Sequence, residues 1–532
     1  MRAASTQLRS DRGESRLPLF ARVSANGGRS ATADPDARGL GPVWPWLIAC
    51  FVVAAFTLLL PSTPTYDPWA WVLWGREIVH LDLVTDGGPS WKPLPVLFTT
   101  PFALFGHDVG PYLWVLVGRA GGLFACVMSY RVGYRLMRGG WLGVVAGIAS
   151  ALALFSSFHF VRDAALGNSE PLLAALFLWA FERHLDGRRD HALYLGVACA
   201  LLRPEAWPFL GMYGLWLWFA EPWLRVRMIG FAALIPALWF LPEWWGAGDP
   251  FRAGARANAP NPGSVAFAEH PALELFNKFR AVTISPVEVG VVVAVGYAVV
   301  AWVRRRAEGR TLAFALIGFA WFALVAAMTE GGFAGNQRYL IVTTAVVCVL
   351  GGIGVARVIQ GVGWLGERVG GSARAGTVTA AVFLLLAIVA ATPIIRAKAN
   401  NISRVAGGLE HEADVWHDLK GAIDQAGGPD RLLACGGVFS GPFQTQMVAY
   451  ELGIHGIQVG WKETPPPGVA FRTRTVPDGP LVTKPTDDRF RLVKVNGKER
   501  VLTVPPEGGD GRCPAADPSA PTAPAARDPL GS

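Results

Sequence analysis

Long apolar runs alternate with short polar loops over most of this chain, and that alternation limits the folds open to it. A helix that crosses a bilayer needs about 20 apolar residues, or somewhat fewer where helices pack on one another. By this measure the sequence predicts about eleven membrane helices, which makes the expected fold a mainly α polytopic bundle. The predicted helices are Trp44–Leu60, Pro111–Leu136, Trp141–Phe160, Pro171–Phe181, Ala192–Leu202, Pro208–Trp223, Met228–Trp245, Val287–Val303, Thr311–Met328, Tyr339–Val358 and Thr377–Ile395.

The composition supports this class and argues against a nucleic-acid partner. Hydrophobic residues make up 52% of the 532 residues and charged residues only 17%, whereas a soluble protein carries about 25%. The net charge of +8 could suggest nucleic-acid binding. The basic residues fall in short loops between the spans, however, so they act as topology signals and no nucleic-acid partner is expected.

The distribution of arginines predicts the orientation of the chain. Arginine-rich loops alternate with loops that lack them, and they share a side with the arginine-rich N-terminus. Because basic loops stay in the cytoplasm, the N-terminus is predicted to be cytoplasmic and the region after Ile395 extracytoplasmic, in a bacterial plasma membrane. The basic loops contain Arg131, Arg135 and Arg138; Arg183, Arg188 and Arg189; Arg225 and Arg227; Arg304, Arg305, Arg306 and Arg310; and Arg368 and Arg374.

Four regions follow from these patterns. Residues 1–43 are predicted to be a disordered cytoplasmic segment, and residues 44–395 a transmembrane domain with interfacial helices in its first outer loop, at about 66–108. Residues 396–504 are predicted to form a small extracytoplasmic α/β domain, and residues 505–532 a disordered tail. If the tail region lies outside the cytoplasm, its two cysteines could form a disulfide. They are Cys435 and Cys513.

The expected elements of the α/β domain come from periodicity. Strands are predicted from alternating or buried apolar runs, and Asn496-Gly497 has the composition of a tight hairpin turn. The predicted helices are Glu410–Ala426 and Phe443–Leu452, and the predicted strands are Arg431–Cys435, Val469–Arg472, Phe490–Val495 and Arg500–Val504.

Two charged residues in the first outer loop are candidates for chemistry. Asp67 follows the first span directly, where a carboxylate could act as a general base or simply start a helix before Pro68. Lys92 lies between Trp91 and Pro93, where an ammonium could neutralise a phosphate or anchor the loop at the bilayer surface. The sequence leaves both alternatives open for each residue.

Three later outer segments carry further candidates. Asp163 and Glu170 bracket a Gly-Asn turn; Asp163 could meet Asp67 or a metal ion, and Glu170 could bind substrate or cap its helix. Arg203, in the turn Arg203-Pro204-Glu205, could bind a phosphate or pair with Glu205. Arg338 and Tyr339 begin the tenth span, where the guanidinium could hold a phosphate or serve as an interfacial anchor.

Taken together, these segments resemble the GT-C superfamily of polytopic membrane glycosyltransferases that use polyprenyl-phosphate sugars. The resemblance covers about Trp44 to Ile395 and rests on the order and sidedness of short motifs, with the lysine-proline segment similar to the aminoarabinose, mannosyl and arabinosyl transferase branch. The motifs are Tyr66-Asp67-Pro68, Lys92-Pro93-Leu94-Pro95, the loop from Asp163 to Glu170, Leu202-Arg203-Pro204-Glu205 and Gln337-Arg338-Tyr339-Leu340.

The resemblance implies a function and roles for individual residues. Asp67 would be the general base on the acceptor, Lys92 and Arg338 would hold the lipid phosphate, and Arg203 would assist. The donor would be a polyprenyl-phosphate sugar and the acceptor a cell-envelope glycan or lipid. Asp67 is followed by Pro68 rather than Glu, and a Trp-Trp-Asp signature is lacking, which disfavours peptide acceptors. The Ala, Gly and Arg content suggests a GC-rich bacterial source such as an actinobacterium.

Other readings of the sequence stay open. A flippase or transporter of a lipid-linked saccharide would share the basic outer face, although charged groups lie at the outer boundary rather than at mid-membrane. A non-catalytic envelope-assembly protein would keep the fold and use its outer domain for partners. No cofactor is required by the pattern, and a divalent cation, Mg²⁺ or Mn²⁺, is left open. A Walker-type loop is lacking, so nucleotide-driven chemistry is not expected.

Overall fold

The structure is a computed structural model that describes residues 40–516. Most of the predicted disordered N-terminal segment, residues 1–39, lies outside the described residues, and so do residues 517–532 of the predicted tail. Within the described part the protein is mainly helical, as the sequence predicts. A small mixed sheet follows the helical bundle near the C-terminus.

Among residues 40–516, sixteen α-helices precede the long helix that leads into the C-terminal domain. They are α1 (Trp44–Thr57), α2 (Tyr66–Val79), α3 (Pro93–Ala103), α4 (Val109–Leu136), α5 (Gly140–Phe155), α6 (Phe158–Ala165), α7 (Glu170–Leu185), α8 (Arg189–Leu202), α9 (Trp207–Ala220), α10 (Arg225–Ala247), α11 (Arg252–Ala257), α12 (Pro271–Val282), α13 (Ser285–Arg305), α14 (Gly309–Glu330), α15 (Ile341–Gly370) and α16 (Ala373–Ala390). Each predicted apolar run overlaps a helix in this set, but Trp141–Phe160 crosses the break between α5 and α6, and Thr377–Ile395 runs past the end of α16.

The number of helices that cross the bilayer stays a prediction. Six helices of the described residues are long and apolar enough to cross a membrane, or seven if the bent pair of α5 and α6 is one span. The helices α7, α8 and α9 have only 16, 14 and 14 residues, fewer than the roughly 20 needed for an independent span. The structure therefore supports a multi-pass membrane protein without fixing the predicted count of about eleven.

Helix α15 is the central element of the bundle, and small residues let its neighbours approach it closely. A Cβ atom on Gly354 would lie 1.9 Å from the carbonyl oxygen of Gly290 in α13. A Cβ on Gly352 would lie 2.5 Å from the carbonyl oxygen of Ala146 in α5. Close backbone contacts of this kind replace the hydrophobic effect as the source of helix association in lipid. Helix α15 itself follows the short 3₁₀ turn Gln337–Leu340.

A long helix links the bundle to the C-terminal domain. Helix α17 (Thr392–Gln425) runs without a break across the predicted boundary between residues 395 and 396. It is followed by α18 (Pro429–Leu433) and, after the first strand, by α19 (Thr445–Leu452). The division of the chain into domains stays a prediction, but a continuous helix joins the two regions.

The sheet of the C-terminal domain has the order β2-β1-β3-β6-β5, with β4 pairing with β3. Strand β1 is parallel to β2 and β3, whereas β3 with β6 and β5 with β6 are antiparallel. A hairpin joins β5 and β6 as predicted, but its two turn residues are Gly497 and Lys498, because Asn496 pairs with Glu499 as the last residue of β5. The strands are β1 (Gly437–Phe439), β2 (Val459–Gly460), β3 (Gly468–Arg474), β4 (Leu481–Val482), β5 (Arg491–Asn496) and β6 (Glu499–Val504).

One predicted strand is wrong. Residues Arg431–Cys435 are not extended; they overlap α18, and the strand comes later, at Gly437–Phe439. Gly428 with φ +88° precedes the helix and Pro429 occupies its first turn, a combination that starts a helix because proline has no amide hydrogen to donate and its φ is already helical.

The tail is ordered further than predicted. Cys435 is bonded to Cys513, 78 residues away, so the chain after residue 504 returns to the end of α18. Thr503 Oγ1 also donates to the carbonyl oxygen of Pro514 at 2.6 Å. The predicted start of the disordered tail at residue 505 is therefore too early.

The C-terminal domain packs on the first outer loop, and α2 lies between it and the bundle. Trp69 of α2 stacks edge-on against Trp416 of α17, with ring centroids 5.0 Å apart. Arg76 of α2 donates to the carbonyl oxygens of Tyr450 and Ile454 at 2.8 and 3.0 Å. Ten of the eleven α2 positions from residue 67 to residue 77 are buried, so α2 is packed against protein on nearly all sides, and its interfacial position stays a prediction.

We predict that Gly354→Ala lowers the thermal stability of the purified protein, because the added methyl group meets the α13 backbone at 1.9 Å and overpacking costs about 1–3 kcal/mol. Gly361→Ala in the same helix is the control, because nothing lies within 4 Å of its Cβ. Thermal unfolding in detergent measures both. Equal melting temperatures for the two variants would contradict the close packing of α13 on α15.

Candidate active site

Five separate segments bring charged side chains together at one end of the bundle. Asp67 comes from the first turn of α2, Lys92 from the residue before α3, and Glu170 from the start of α7. Arg203 follows α8, and Arg338 lies in the 3₁₀ turn before α15. These five side chains come from positions 67 to 338 of the chain, and we call the group the outer charge cluster.

Glu170 is the centre of this cluster. Its Oε1 atom accepts a short hydrogen bond from Arg203 Nη2 and lies 3.5 Å from Lys92 Nζ and 3.8 Å from Arg338 Nε. The Glu170 carboxylate is only 1% exposed. Three cations thus share one buried carboxylate oxygen. Each of them has an anionic partner, which avoids the cost of an unpaired buried charge. The predicted alternative of a helix cap does not hold, since the side chain makes ion pairs instead.

Asp67 is held by Arg338. The Arg338 Nη2 atom donates to Asp67 Oδ2 at 2.7 Å, and the arginine thereby links Asp67 to Glu170. Asp67 is the second residue of α2 rather than its N-cap, which is Thr65. Among residues 40–516 the other carboxylate oxygen, Oδ1, has no hydrogen-bond partner, so it is available to accept a proton.

Lys92 is buried rather than anchored at a bilayer surface. Its ammonium donates to Ser169 Oγ at 3.0 Å and lies 5.0 Å from the ring centre of Trp71. Burial lowers the pKa of Lys92 to about 8, and the charge of Arg203 acts in the same direction while Glu170 opposes it. Lys92 is therefore a cation whose charge is lost not far above neutral pH.

Arg203 makes the pair with Glu205 that the sequence offered as one alternative, and it also bonds Glu170. Its Nη1 atom lies 3.3 Å from Glu205 Oε1, and its Nη2 atom bonds Glu170. The guanidinium also stacks on the ring of Tyr339, 4.2 Å from its centre. Tyr339 in turn is fixed by its carbonyl oxygen, which accepts from Trp321 Nε1 at 2.9 Å. Tyr339 therefore acts as the platform that orients Arg203.

Asp163 lies beside the cluster and does not take part in its ion pairs. Its Oδ1 atom accepts from Asn168 Nδ2 at 3.0 Å, and its carbonyl oxygen accepts from the Asn168 amide at 2.8 Å. These bonds shape the turn that presents Ser169 and Glu170. The structure gives no contact between Asp163 and Asp67, so the expected meeting of the two carboxylates does not occur.

The cluster contains both donor and acceptor atoms that have no hydrogen-bond partner among the described residues. Within residues 40–516, Nε of Arg203 and Nε of Arg338 are buried donors with no hydrogen-bond partner, and Oε2 of Glu170, Oε2 of Glu205 and Oδ1 of Asn168 are buried acceptors with none. Buried polar groups in folded proteins are normally paired, so five orphans in one place need an explanation. A ligand that carries both anionic oxygens and hydroxyl groups would satisfy both kinds.

The cluster does not fit a divalent metal ion. In the part of the chain that the structure describes, no group of three or more His, Cys, Asp or Glu side chains is placed to hold one. The carboxylates of Asp67, Glu170 and Glu205 are each already paired with an arginine.

Two contributors to the site were missed as such from the sequence. They are Ser169, whose hydroxyl accepts from Lys92, and Trp71, whose ring faces the Lys92 ammonium. The density of tryptophans around Lys92 is the one signal that could have pointed to a cation–π contact.

Comparison with known proteins adds a likeness of fold. No protein-family model matches the chain, and no curated protein matches it. ArnT from Cupriavidus metallidurans bound to undecaprenyl phosphate is similar, with 14% identity over 88% of this chain and 99% of that chain and a TM-score of 0.46. The same protein in the apo state gives 15% identity over 86% and 96%, with a TM-score of 0.48.

Both TM-scores lie below 0.5 and both identities are low. The outer charge cluster, rather than this likeness, carries the proposed function.

We predict that Glu170→Gln destabilises the protein by about 3–5 kcal/mol, because it removes the anion from among buried cations. Glu412→Gln is the matched control: its partner Arg162 is 42% exposed, and an exposed ion pair contributes less than about 1 kcal/mol. Thermal unfolding of both variants at pH 7 checks this. Similar melting temperatures would contradict the central position of Glu170.

Proposed function

We propose that this protein is an integral membrane glycosyltransferase that transfers a sugar from a polyprenyl-phosphate donor to a hydroxyl group of an acceptor. The observation that carries the proposal is the outer charge cluster. It places three cations around one point, with the Asp67 carboxylate held beside them by Arg338 at 2.7 Å. A phosphate leaving group needs the cations, and an acceptor hydroxyl needs the carboxylate.

The cations would bind the phosphate of the donor. In the structure, Lys92, Arg203 and Arg338 are all turned toward Glu170, so they are already positioned before any substrate arrives. Preorganised cations stabilise the negative charge that grows on the phosphate as its bond to the sugar breaks, without a reorganisation cost at that moment. Arginine suits the role because its planar fork can contact two phosphate oxygens.

Asp67 would act as the general base. The acceptor oxygen attacks the anomeric carbon, the bond from that carbon to the phosphate oxygen breaks with its electron pair going to the phosphate, and the hydroxyl proton passes to Asp67 Oδ1. Arg338 contacts Asp67 through Nη2 and approaches Glu170 through Nε. It therefore sets the distance between the base and the phosphate site.

The lipid portion of the donor would lie along α3. Lys92 immediately precedes this helix, and the apolar side chains of Leu97 and Phe98 are 50% and 38% exposed on it. A polyprenyl chain could remain in the bilayer against this face while its phosphate reaches the cluster. Because the sugar phosphate is already activated, no nucleotide is needed.

The acceptor and the side of the membrane complete the proposal. The acceptor is proposed to be an envelope glycan or lipid on the extracytoplasmic face of a bacterial plasma membrane. The arginine pattern supports that orientation, and so does the Cys435–Cys513 disulfide, because disulfides form and persist outside the reducing cytoplasm. The identity of the sugar and the bacterial group are left open.

We predict that Asp67→Asn lowers the rate of sugar transfer by a factor of about 10²–10⁴, because the amide cannot accept the proton. Radiolabelled sugar transfer from polyprenyl-phosphate donors to envelope acceptors measures it, with purified wild type alongside. Asp86→Asn, an exposed aspartate of the same loop, is the control and should transfer normally.

Full turnover by Asp67→Asn would remove Asp67 from the mechanism. Movement of a lipid-linked sugar across the membrane without a glycosidic product, in the wild type, would favour the transporter reading instead.

We predict that the affinity for polyprenyl phosphate falls about tenfold or more between pH 7 and pH 9.5. The pKa of Lys92 is lowered to about 8, so its positive charge is present below that pH and is lost above it. Lys92→Arg should keep its affinity over this range, since a guanidinium stays protonated. Binding is measured by titration of the purified protein in nanodiscs. An equal fall in wild type and Lys92→Arg would exclude Lys92 as the titrating group.

A further inference from the structure

A second feature of the C-terminal domain lies next to the base and is not used by the mechanism above. Phe443, in the turn between β1 and α19, has a φ of +69°. A bulky residue without glycine's freedom rarely adopts this left-handed conformation, and such outliers concentrate at functional sites. Its side chain is nevertheless 61% exposed, so burial of the ring does not compensate for the backbone cost.

The exposed ring is positioned by the residue before Asp67. Phe443 meets Tyr66 edge-on, with ring centroids 5.8 Å apart and an interplanar angle of 90°. Tyr66 is the first residue of α2 and Asp67 is the second. An aromatic surface contributed by the C-terminal domain therefore adjoins the carboxylate that would take the acceptor's proton.

Polar groups flank this aromatic pair. The Tyr66 side chain lies close to Thr445 and Gln446, and near enough to Arg256 for its charge to act on the phenol. The Gln446 side chain is fully buried and donates through Nε2 to the carbonyl oxygen of Gly87 at 3.3 Å, while its Oε1 atom lies beside Gly456. Aromatic side chains with a few polar groups beside them are a combination found in small-molecule sites.

We propose that Phe443 and Tyr66 form the acceptor subsite and hold a sugar ring of a saccharide acceptor above Asp67. The inference rests on the proposed function and deepens it by naming the acceptor class. A sugar ring presents apolar C–H groups on its faces and hydroxyls around its rim, which matches an aromatic surface edged by Thr445, Gln446 and Arg256. A purely apolar acceptor would leave those polar groups unpaired at a cost.

Phe443→Ala tests the subsite without disturbing the turn. Alanine keeps the Cβ atom, so the backbone cost of the positive φ is the same in both proteins. Phe443→Tyr keeps the ring and should restore function. Trp461→Ala is the matched control, because Trp461 is also an aromatic of the same domain that is 61% exposed. Thermal unfolding confirms that all three variants are folded.

Two measurements distinguish a failure of the subsite from a failure of the proposed function. The first is binding of two probes, α-mannotetraose and an arabinofuranosyl tetrasaccharide, to the full chain in lipid nanodiscs by saturation-transfer NMR. The second is the KM for the acceptor in the transfer assay. We expect Phe443→Ala to weaken tetrasaccharide binding and to raise the acceptor KM about tenfold, with kcat and the donor KM unchanged and with Phe443→Tyr and Trp461→Ala close to wild type.

Other results would overturn the inference or the proposed function, and they can be told apart. If wild type transfers sugar but neither tetrasaccharide binds, or Phe443→Ala binds and transfers normally, the subsite is wrong and the glycosyltransferase stands. Phe443-dependent tetrasaccharide binding without transfer by wild type would support the subsite and reject the glycosyltransferase.

Discussion

The shared buried oxygen of Glu170 is the interaction on which the rest of this protein depends. Three cations from three different segments approach it, and each would be costly to bury alone. Once Glu170, together with Asp67 and Glu205, balances these three charges, α3, α7, the turn after α8 and the turn before α15 must meet at one point. The apolar helices determine that the chain enters a membrane, whereas this carboxylate determines which loops come together at its edge.

The C-terminal domain completes the same end of the molecule. It packs on α2 through Trp416 and Tyr450, whose side chains lie in one core with Trp69. Across the same contact His455 Nδ1 lies 2.8 Å from Glu77 Oε1. Because α2 carries Asp67 in its first turn, any change in how the domain is seated would move the base relative to the cations. The domain is therefore part of the framework of the site.

The sequence predicted most of the components of the site, and it could not predict their geometry. Asp67, Lys92, Arg203 and Arg338 were singled out because a charge beside an apolar span is costly and needs a reason. Their convergence depends on contacts between residues up to 271 positions apart, such as Arg338 with Asp67, which no local pattern encodes. Glu170 was underestimated for the same reason: at a helix start a carboxylate is usually explained by the cap, and its three partners are remote in the chain.

Local patterns worked best where local physics decides the outcome. The hairpin between β5 and β6 formed within one residue of its predicted place, because its turn needs a positive φ that Gly497 supplies. The strand predicted at Arg431–Cys435 failed because its apolar run is equally compatible with the last turns of a short helix, and Pro429 started one. Phe443 gave no sequence signal, since its backbone conformation and its contact with Tyr66 arise only in the folded domain.

The most direct test of the central claim is an experimental structure of the protein in nanodiscs with undecaprenyl phosphate, determined by electron cryomicroscopy. The phosphate is expected within hydrogen-bonding distance of Lys92, Arg203 and Arg338, beside Asp67, with the lipid chain leaving along α3. A phosphate bound elsewhere on the protein, with the Glu170 ion pairs unchanged, would contradict the assignment of the outer charge cluster as the donor site.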